Sequence, residues 1–288
     1  MNIDLNELSK IKGIGQKTIE RVREYILKEN DDYISEYDER LQLKRNSINN
    51  GDCLELMNGI PDKSIGMILA DLPYGTTACS WDSIIDLDKL WLQYERIIKD
   101  NGVIVLTSKQ PFTTKLINSN KNLFKYSLVW KKDNHDNPLM AKKRVLNITE
   151  DIVVFYKHQP TFNPQGVKKV NKITKQGRGK SLSQENDREN EYLQEFTNYP
   201  KNILEFKRDF PMMHPTQKPV ALFEYLIKTY TDKGDLVLDN VSGSGTTAIA
   251  SINTGRDYIC IEKDKDYYKQ SLKRVKEHKR KNKKESLI

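Results

Sequence analysis

The sequence predicts an α/β protein built on a doubly wound, mostly parallel sheet, and three observations carry that reading. From Leu43 onward, short apolar runs of strand length alternate with segments of helical periodicity. Two of those runs end in turns rich in chemistry, Asp71-Leu72-Pro73-Tyr74-Gly75 and Asp239-Asn240-Val241-Ser242-Gly243-Ser244-Gly245-Thr246-Thr247. The 288 residues suffice for one large domain with a small appendage.

The elements follow in order. Leu5 to Ile11 and Thr18 to Leu27 read as short helices separated by Gly13-Ile14-Gly15, so residues 1–30 form a unit of their own. Residues 31–42 lie in a charged linker, and the large domain spans 43–280 with a basic tail at 281–288. Ile65 to Ala70 is a strand buried on both faces, because its apolar run is unbroken. Asp86 is an N-cap for a helix whose Leu87, Leu90, Trp91, Tyr94, Ile97 and Ile98 share a face and which Asn101-Gly102 stops. Strands follow at Val103 to Leu106, Tyr126 to Trp130 and Ile152 to Tyr156. A helix begins near Pro219 and runs to Tyr230, a strand covers Leu236 to Asp239, and a helix covers Thr246 to Asn253. Tyr258 to Glu262 is the last strand and Lys265 to Lys279 the last helix. Residues 165–210 break the rhythm: so long a polar stretch is either a functional insertion or disordered.

Composition narrows the function classes. No apolar run is long enough to span a membrane, and Met1 to Lys10 is too polar for a signal peptide. Cys53, Cys79 and Cys260 are scattered and odd in number, which favours a reducing cytoplasm over a disulfide framework. No cluster of histidine and cysteine has metal spacing, so no metal is expected. The net charge of +8 points to an anionic partner, although Lys273 to Lys284 carries much of it and reads equally as a solvated helix end.

The glycine turn opens a nucleotide-binding βα unit. Gly243 and Gly245 allow the backbone to approach a ligand, and the helix after them offers free N–H groups. No lysine follows the glycines, which excludes a phosphate-gripping Walker loop. Glu262, at the end of the next strand, is placed to bond the two ribose hydroxyls of either an adenosine or NAD. The Asp71 turn suits methylation of an aromatic amine, whose lone pair is delocalised into its ring. The Asp71 carboxylate and the Leu72 carbonyl can accept its two N–H bonds and free the lone pair for a sulfonium methyl. Pro73 stiffens the turn and Tyr74 can stack on an extruded base. Standing alone, each turn also reads as a strand end with no ligand.

Taken together, DLPYG with TTACSWD, HPTQKPVALFEYLI, LDNVSGSGTT and IEKD resemble the motifs of the β-class amino-methyltransferases of DNA, from Ser47 to Tyr268 and with the catalytic half first. The resemblance implies a Rossmann-like sheet that binds S-adenosylmethionine (AdoMet) and transfers its methyl group to adenine N6 in double-stranded DNA. It assigns the catalytic turn to Asp71, Leu72, Pro73 and Tyr74. It assigns the cofactor to Asp52, Asp71, Asp239, Gly243, Ser244, Gly245, Thr246 and Glu262, with His214, Thr216 and Lys218 near its methionine carboxylate. Two departures stand out. Leu72 replaces a proline, and Asn240-Val241 replaces proline-phenylalanine, which implies modest cofactor affinity.

Residues 8–19 resemble a helix-hairpin-helix, which grips the DNA backbone through Gly13 and Gly15 with Lys12 and Lys17 beside them. Sequence reading is expected from 165–210, where Lys168, Lys169, Lys172, Lys175, Arg178 and Lys180 can reach phosphates or base edges. The resemblance admits a cognate restriction endonuclease and a homodimer as further partners. Three alternatives stay open here: methylation of cytosine N4, a non-catalytic AdoMet-sensing DNA-binding protein, and an NAD-dependent oxidoreductase that leaves DLPY and HPTQKP without a role.

Overall fold

Five strands lead the fold: β1 (Ser47–Asn50), β2 (Ile65–Asp71), β3 (Ile98–Ser108), β4 (Phe124–Lys131) and β5 (Thr149–Phe155). After them come β6 (Lys168–Lys175), β7 (Glu191–Thr197), β8 (Ile203–Glu205), β9 (Leu236–Asp239) and β10 (Asp257–Glu262). The computed structural model describes residues 43–75, 83–136, 138–175, 191–210 and 217–285. Eight strands make the central sheet in the order β1-β10-β9-β2-β3-β5-β4-β8, while β6 and β7 pair apart from it. From β1 to β3 every pairing is parallel. β5 runs antiparallel to both β3 and β4, and β8 pairs parallel to β4 at the edge.

The helices are α1 (Cys53–Leu56), α2 (Leu87–Ile97), α3 (Phe112–Ser119), α4 (Val220–Tyr230), α5 (Thr246–Thr254) and α6 (Lys265–Glu285). They cover both faces of the sheet, which is why β2 reads as an unbroken apolar run. Its Ile68 and Ala70 pack with Leu90, Trp91, Tyr94 and Ile97 of α2. Met67 and Leu69, on the other face, pack with Leu222, Phe223 and Leu226 of α4. Each such fully buried aliphatic side chain stabilises the fold by about 1.5–3 kcal/mol. No helix among the described residues is long and apolar enough to cross a membrane. Cys53 and Cys260 are buried free thiols.

The structure departs from the sequence reading in four places. α2 starts where expected, with Asp86 accepting from the Asp88 and Lys89 N–H groups at 3.1 and 3.2 Å, but it ends at Ile97 rather than at Asn101-Gly102. Its last carbonyls are taken by tertiary donors, Lys63 N–H on Arg96 and Ser64 N–H on Ile97, both at 2.9 Å. Asn101 and Gly102 lie inside β3 instead. β1, α1 and α3 carry no clear signal in the sequence, being short or weakly patterned. Residues 165–210 hold a β6–β7 hairpin, and β8 at their end joins the central sheet with Leu204 buried. Lys281–Glu285 continue α6 rather than forming a tail. The helical unit expected at 1–30 and the linker at 31–42 lie outside the described residues.

Candidate active site

Asp71 ends β2 and Asp239 ends β9, and the two strands are neighbours, with Ile68 opposite Leu238. Parallel strands thus deliver both motif turns to one end of the sheet. A cavity of about 790 Å3 opens there, bordered by the Asp71–Tyr74 turn on one side and the Asn240–Ser244 loop on the other.

The glycine loop is tied down from three directions. Glu262, nine-tenths buried at the end of β10, accepts from Gly243 N–H at 2.6 Å and from Asp264 N–H at 2.8 Å. Burial above all pushes its carboxyl up. Asp239 accepts from Val241 N–H at 3.1 Å and from the Thr247 hydroxyl. Arg274 of α6, which no sequence motif singles out, donates to the Ser244 carbonyl, the Ser244 hydroxyl and the Thr246 hydroxyl, each at 3.1 Å. Gly243 has φ +48° and an added Cβ there would meet nothing within 4 Å. Gly245 has φ +76°, and its Cβ would stand 3.1 Å from Ser271 of α6, so close helix approach also demands glycine.

Asn240 and Val241, the unexpected pair, have definite places. Asn240 is fully buried and accepts the Tyr94 hydroxyl at 2.6 Å, which fastens the loop to α2. Val241 packs against the core on that same face of the sheet. Asn240 Nδ2 and the Ser242 hydroxyl are buried without a hydrogen-bond partner among the described residues, and both residues line the cavity. Asp52 caps α1 through Leu54 N–H at 2.9 Å and pairs with Lys263 at 3.0 Å. Partial burial opposes its charge, but Lys263 and Leu54 N–H hold its carboxyl below the usual range.

At the other turn, Asp71 Oδ1 accepts from the Tyr74 hydroxyl at 2.6 Å and from the Thr107 hydroxyl. Its Oδ2 accepts from Lys218 Nζ at 2.6 Å. A carboxylate offers about four acceptor positions, so among the described residues these donors leave one, on Oδ2. Tyr74 stacks on Phe112, with ring centroids 5.4 Å apart, and the Lys218 ammonium lies over the Tyr74 ring, 5.9 Å from its centroid. Burial first, then the charges of Asp71 and Glu150, push its hydroxyl well above the ordinary tyrosine range. Leu72 is buried in the core, which anchors the turn from beneath.

Lys218, expected near the methionine carboxylate, has two carboxylates of the protein beside it. It lines the cavity, and its ammonium is buried between Asp71 at 2.6 Å and Glu150 at 3.2 Å. Burial opposes that charge, but the two carboxylates outweigh it and raise the ammonium above its ordinary value. Glu150, Lys132 and Thr107 escape sequence reasoning, because only strand register brings them to Asp71. Of the other expected site residues, His214, Thr216, Arg178, Lys180, Lys12, Gly13, Gly15 and Lys17 lie outside the described residues, and Lys175 ends β6.

Residues 65–273 match the family model described as DNA methylase, covering both N6 and N4 amino-methyltransferases. The chain belongs to the N6/N4 DNA methylase family. This methylase is 30% identical over 252 residues to the DNA adenine methyltransferase YhdJ of Escherichia coli, covering 80% of the chain and 82% of that protein. It is 29% identical over 262 residues to the type II methyltransferase M2.MboI of Moraxella bovis, covering 81% and 89%. Among solved structures it resembles M1.HpyAVI, determined as a complex with S-adenosylmethionine, at TM-score 0.55 and 24% identity over 79% of this chain and 98% of that one. It also resembles the cytosine-N4-specific PvuII DNA methyltransferase, at TM-score 0.58 and 17% identity over 80% and 86%. At those identities the structures speak for the fold alone.

Proposed function

We propose that this methylase transfers the methyl group of AdoMet to N6 of adenine at specific sites in duplex DNA. One observation carries the reading: an Asp71 carboxylate with one open acceptor position shares its cavity with the glycine loop. The residues around that loop suit AdoMet. The cavity is large enough for a nucleoside with an amino-acid tail, and the unpartnered Asn240 amide and Ser242 hydroxyl suit a polar ligand. Asp52, Asp239, Gly243, Ser244, Gly245, Thr246 and Glu262 would hold it, with His214 and Thr216 from the neighbouring motif. When bound, AdoMet supplies an electrophilic methyl carried on a sulfonium.

On the target side, Asp71 Oδ2 and the Leu72 carbonyl accept the two N–H bonds of the extruded amine. That pulls its lone pair out of conjugation and aims it, so catalysis rests on positioning and electrostatic fit. The Tyr74 ring, beside that turn, is placed to stack on the base. The name of the Escherichia coli relative supports adenine as the base. Residues 1–30, which resemble a helix-hairpin-helix in sequence, and the 165–210 segment would grip and read the duplex.

The test is to incubate the protein with methyl-labelled AdoMet and mixed-sequence duplex DNA, digest to nucleosides and separate them. Label in N6-methyladenine is expected, whereas label in N4-methylcytosine overturns the choice of base. The D71A variant is expected to bind AdoMet and transfer nothing; full turnover by that variant would sink the role given to Asp71.

A further inference from the structure

Behind Asp71 lies a chain of charges, buried at Lys218 and Lys132, whose members beyond Lys218 the family motifs do not account for. Lys218 bridges Asp71 and Glu150; Lys132 bridges Glu150 at 3.2 Å and Asp136 at 2.6 Å; Lys109 closes the chain on Asp136 at 2.7 Å. Cations and anions alternate along it, and Lys132 and Lys218 are 3% and 5% exposed at their side chains. The fold explains why they meet. β5 is antiparallel to β3, so its first residues lie at the end of the sheet where β2 and β3 finish, with Thr107 opposite Ile152. Glu150 also stands opposite Trp130 in β4, two residues before Lys132.

A buried ammonium with two carboxylates has a defined place only if both are present. We propose that Glu150, held in turn by Lys132 and Asp136, is a positioning residue for methyl transfer: it fixes the Lys218 ammonium on one side of Asp71 Oδ2 so that the remaining acceptor position of that oxygen faces the target amine. The inference rests on the catalytic reading of Asp71 under Proposed function. Glu150, which lines the same cavity, acts through Lys218 in this reading. Among the described residues, the groups facing Lys218 include Asp71 and Tyr74 on the turn and Glu150 on β5, with Lys132 and Asp136 behind Glu150. Lys109, Arg208 and Asp239 line the same cavity.

The experiment compares wild type, E150Q, E150D and D71N for kcat, for KM toward AdoMet and for the pH profile of kcat, using methyl-labelled AdoMet and mixed-sequence duplex DNA. E150Q keeps the shape and an acceptor but removes the charge. Its kcat, read well below the melting temperature, is expected to fall about 10- to 100-fold, the scale of a misaligned reactant, with KM for AdoMet held; the melting temperature falls, because two buried ammoniums lose a carboxylate. With one of its two carboxylates gone, Lys218 loses its proton at lower pH, so the alkaline limb of kcat moves down. E150D, which restores the charge, is expected to return the limb toward wild type. Wild-type kcat and pH profile in E150Q overturn the proposal, and so does a loss of activity confined to KM or to stability. D71N separates the layers: if it retains full turnover, the catalytic reading itself fails; if it is inactive while E150Q behaves as wild type, only the positioning role fails.

Discussion

Asp239 differs from Asp71 in how its charge is kept. Asp71 has a lysine beside it, whereas Asp239 is buried with a hydroxyl and an N–H as its donors. Burial, with smaller contributions from the charges of Asp71 and Glu262, pushes its carboxyl up to about 7 despite those donors. The sign follows. A carboxyl raised in the folded state contributes stability that is fully present below its ordinary value of 3.8 and is lost as pH rises through about 7. A cationic ligand acts oppositely, because it favours the ionised form. AdoMet carries a sulfonium and an ammonium, so its affinity is expected to weaken as pH falls from 7 to 5.5, by at most roughly tenfold per unit. Calorimetric titration across that range measures it, with D239N as the comparison. The variant is expected to bind more weakly and without this pH dependence; a flat wild-type profile removes Asp239 from the ligand's surroundings.

At the level of elements, Gly102 shows how packing overrides a local signal. Asn-Gly after an amphipathic helix reads as a stop, yet the residue sits in β3, where a Cβ would lie 2.7 Å from Ile98 Cγ1 and 3.0 Å from the Gly66 carbonyl oxygen. The side chain can turn away, but the backbone of β2 cannot. G102A is therefore expected to cost about 1–3 kcal/mol, read as a lower urea midpoint at unchanged slope; a midpoint equal to wild type would show that the strands do not approach so closely. The same contrast explains what is legible. β2, β9 and β10 are buried on both faces, so their positions stand out as apolar runs closed by motif turns. β1, with the sequence Ser-Ile-Asn-Asn, and the polar β6 and β7 carry no such pattern, and strand pairing places them by register alone. Asp71 and the glycine loop are readable because each is a contiguous turn with a chemical rationale. Glu150 and Lys132 are not, since charged residues near strand ends look solvated until the antiparallel strand folds them beneath Asp71.

For the whole molecule, the question is how a site at one end of the sheet meets a duplex. The β6–β7 hairpin pairs with no strand of the central sheet, and Ile173 opposite Leu193 leaves both side chains largely exposed, at 71% and 58%. A two-stranded hairpin is marginal in water unless something packs on it. Its strand β6 also carries the exposed Lys168, Lys169 and Lys172. Apolar surface flanked by cations suits a duplex, where lysines neutralise phosphates while apolar side chains meet groove edges. Replacing Lys168, Lys169 and Lys172 together by alanine is therefore expected to weaken duplex binding and leave AdoMet affinity unchanged. Because each neutralised phosphate releases counterions, the slope of log affinity against log salt should become shallower by about 0.9 for every phosphate left without its lysine. Fluorescence anisotropy with labelled mixed-sequence duplex at several salt concentrations measures both quantities. A parallel slope with equal affinity would show that the hairpin stands clear of the phosphates. A weaker affinity at unchanged slope would show that it contributes packing but no charge, leaving the phosphates to other basic segments of the chain.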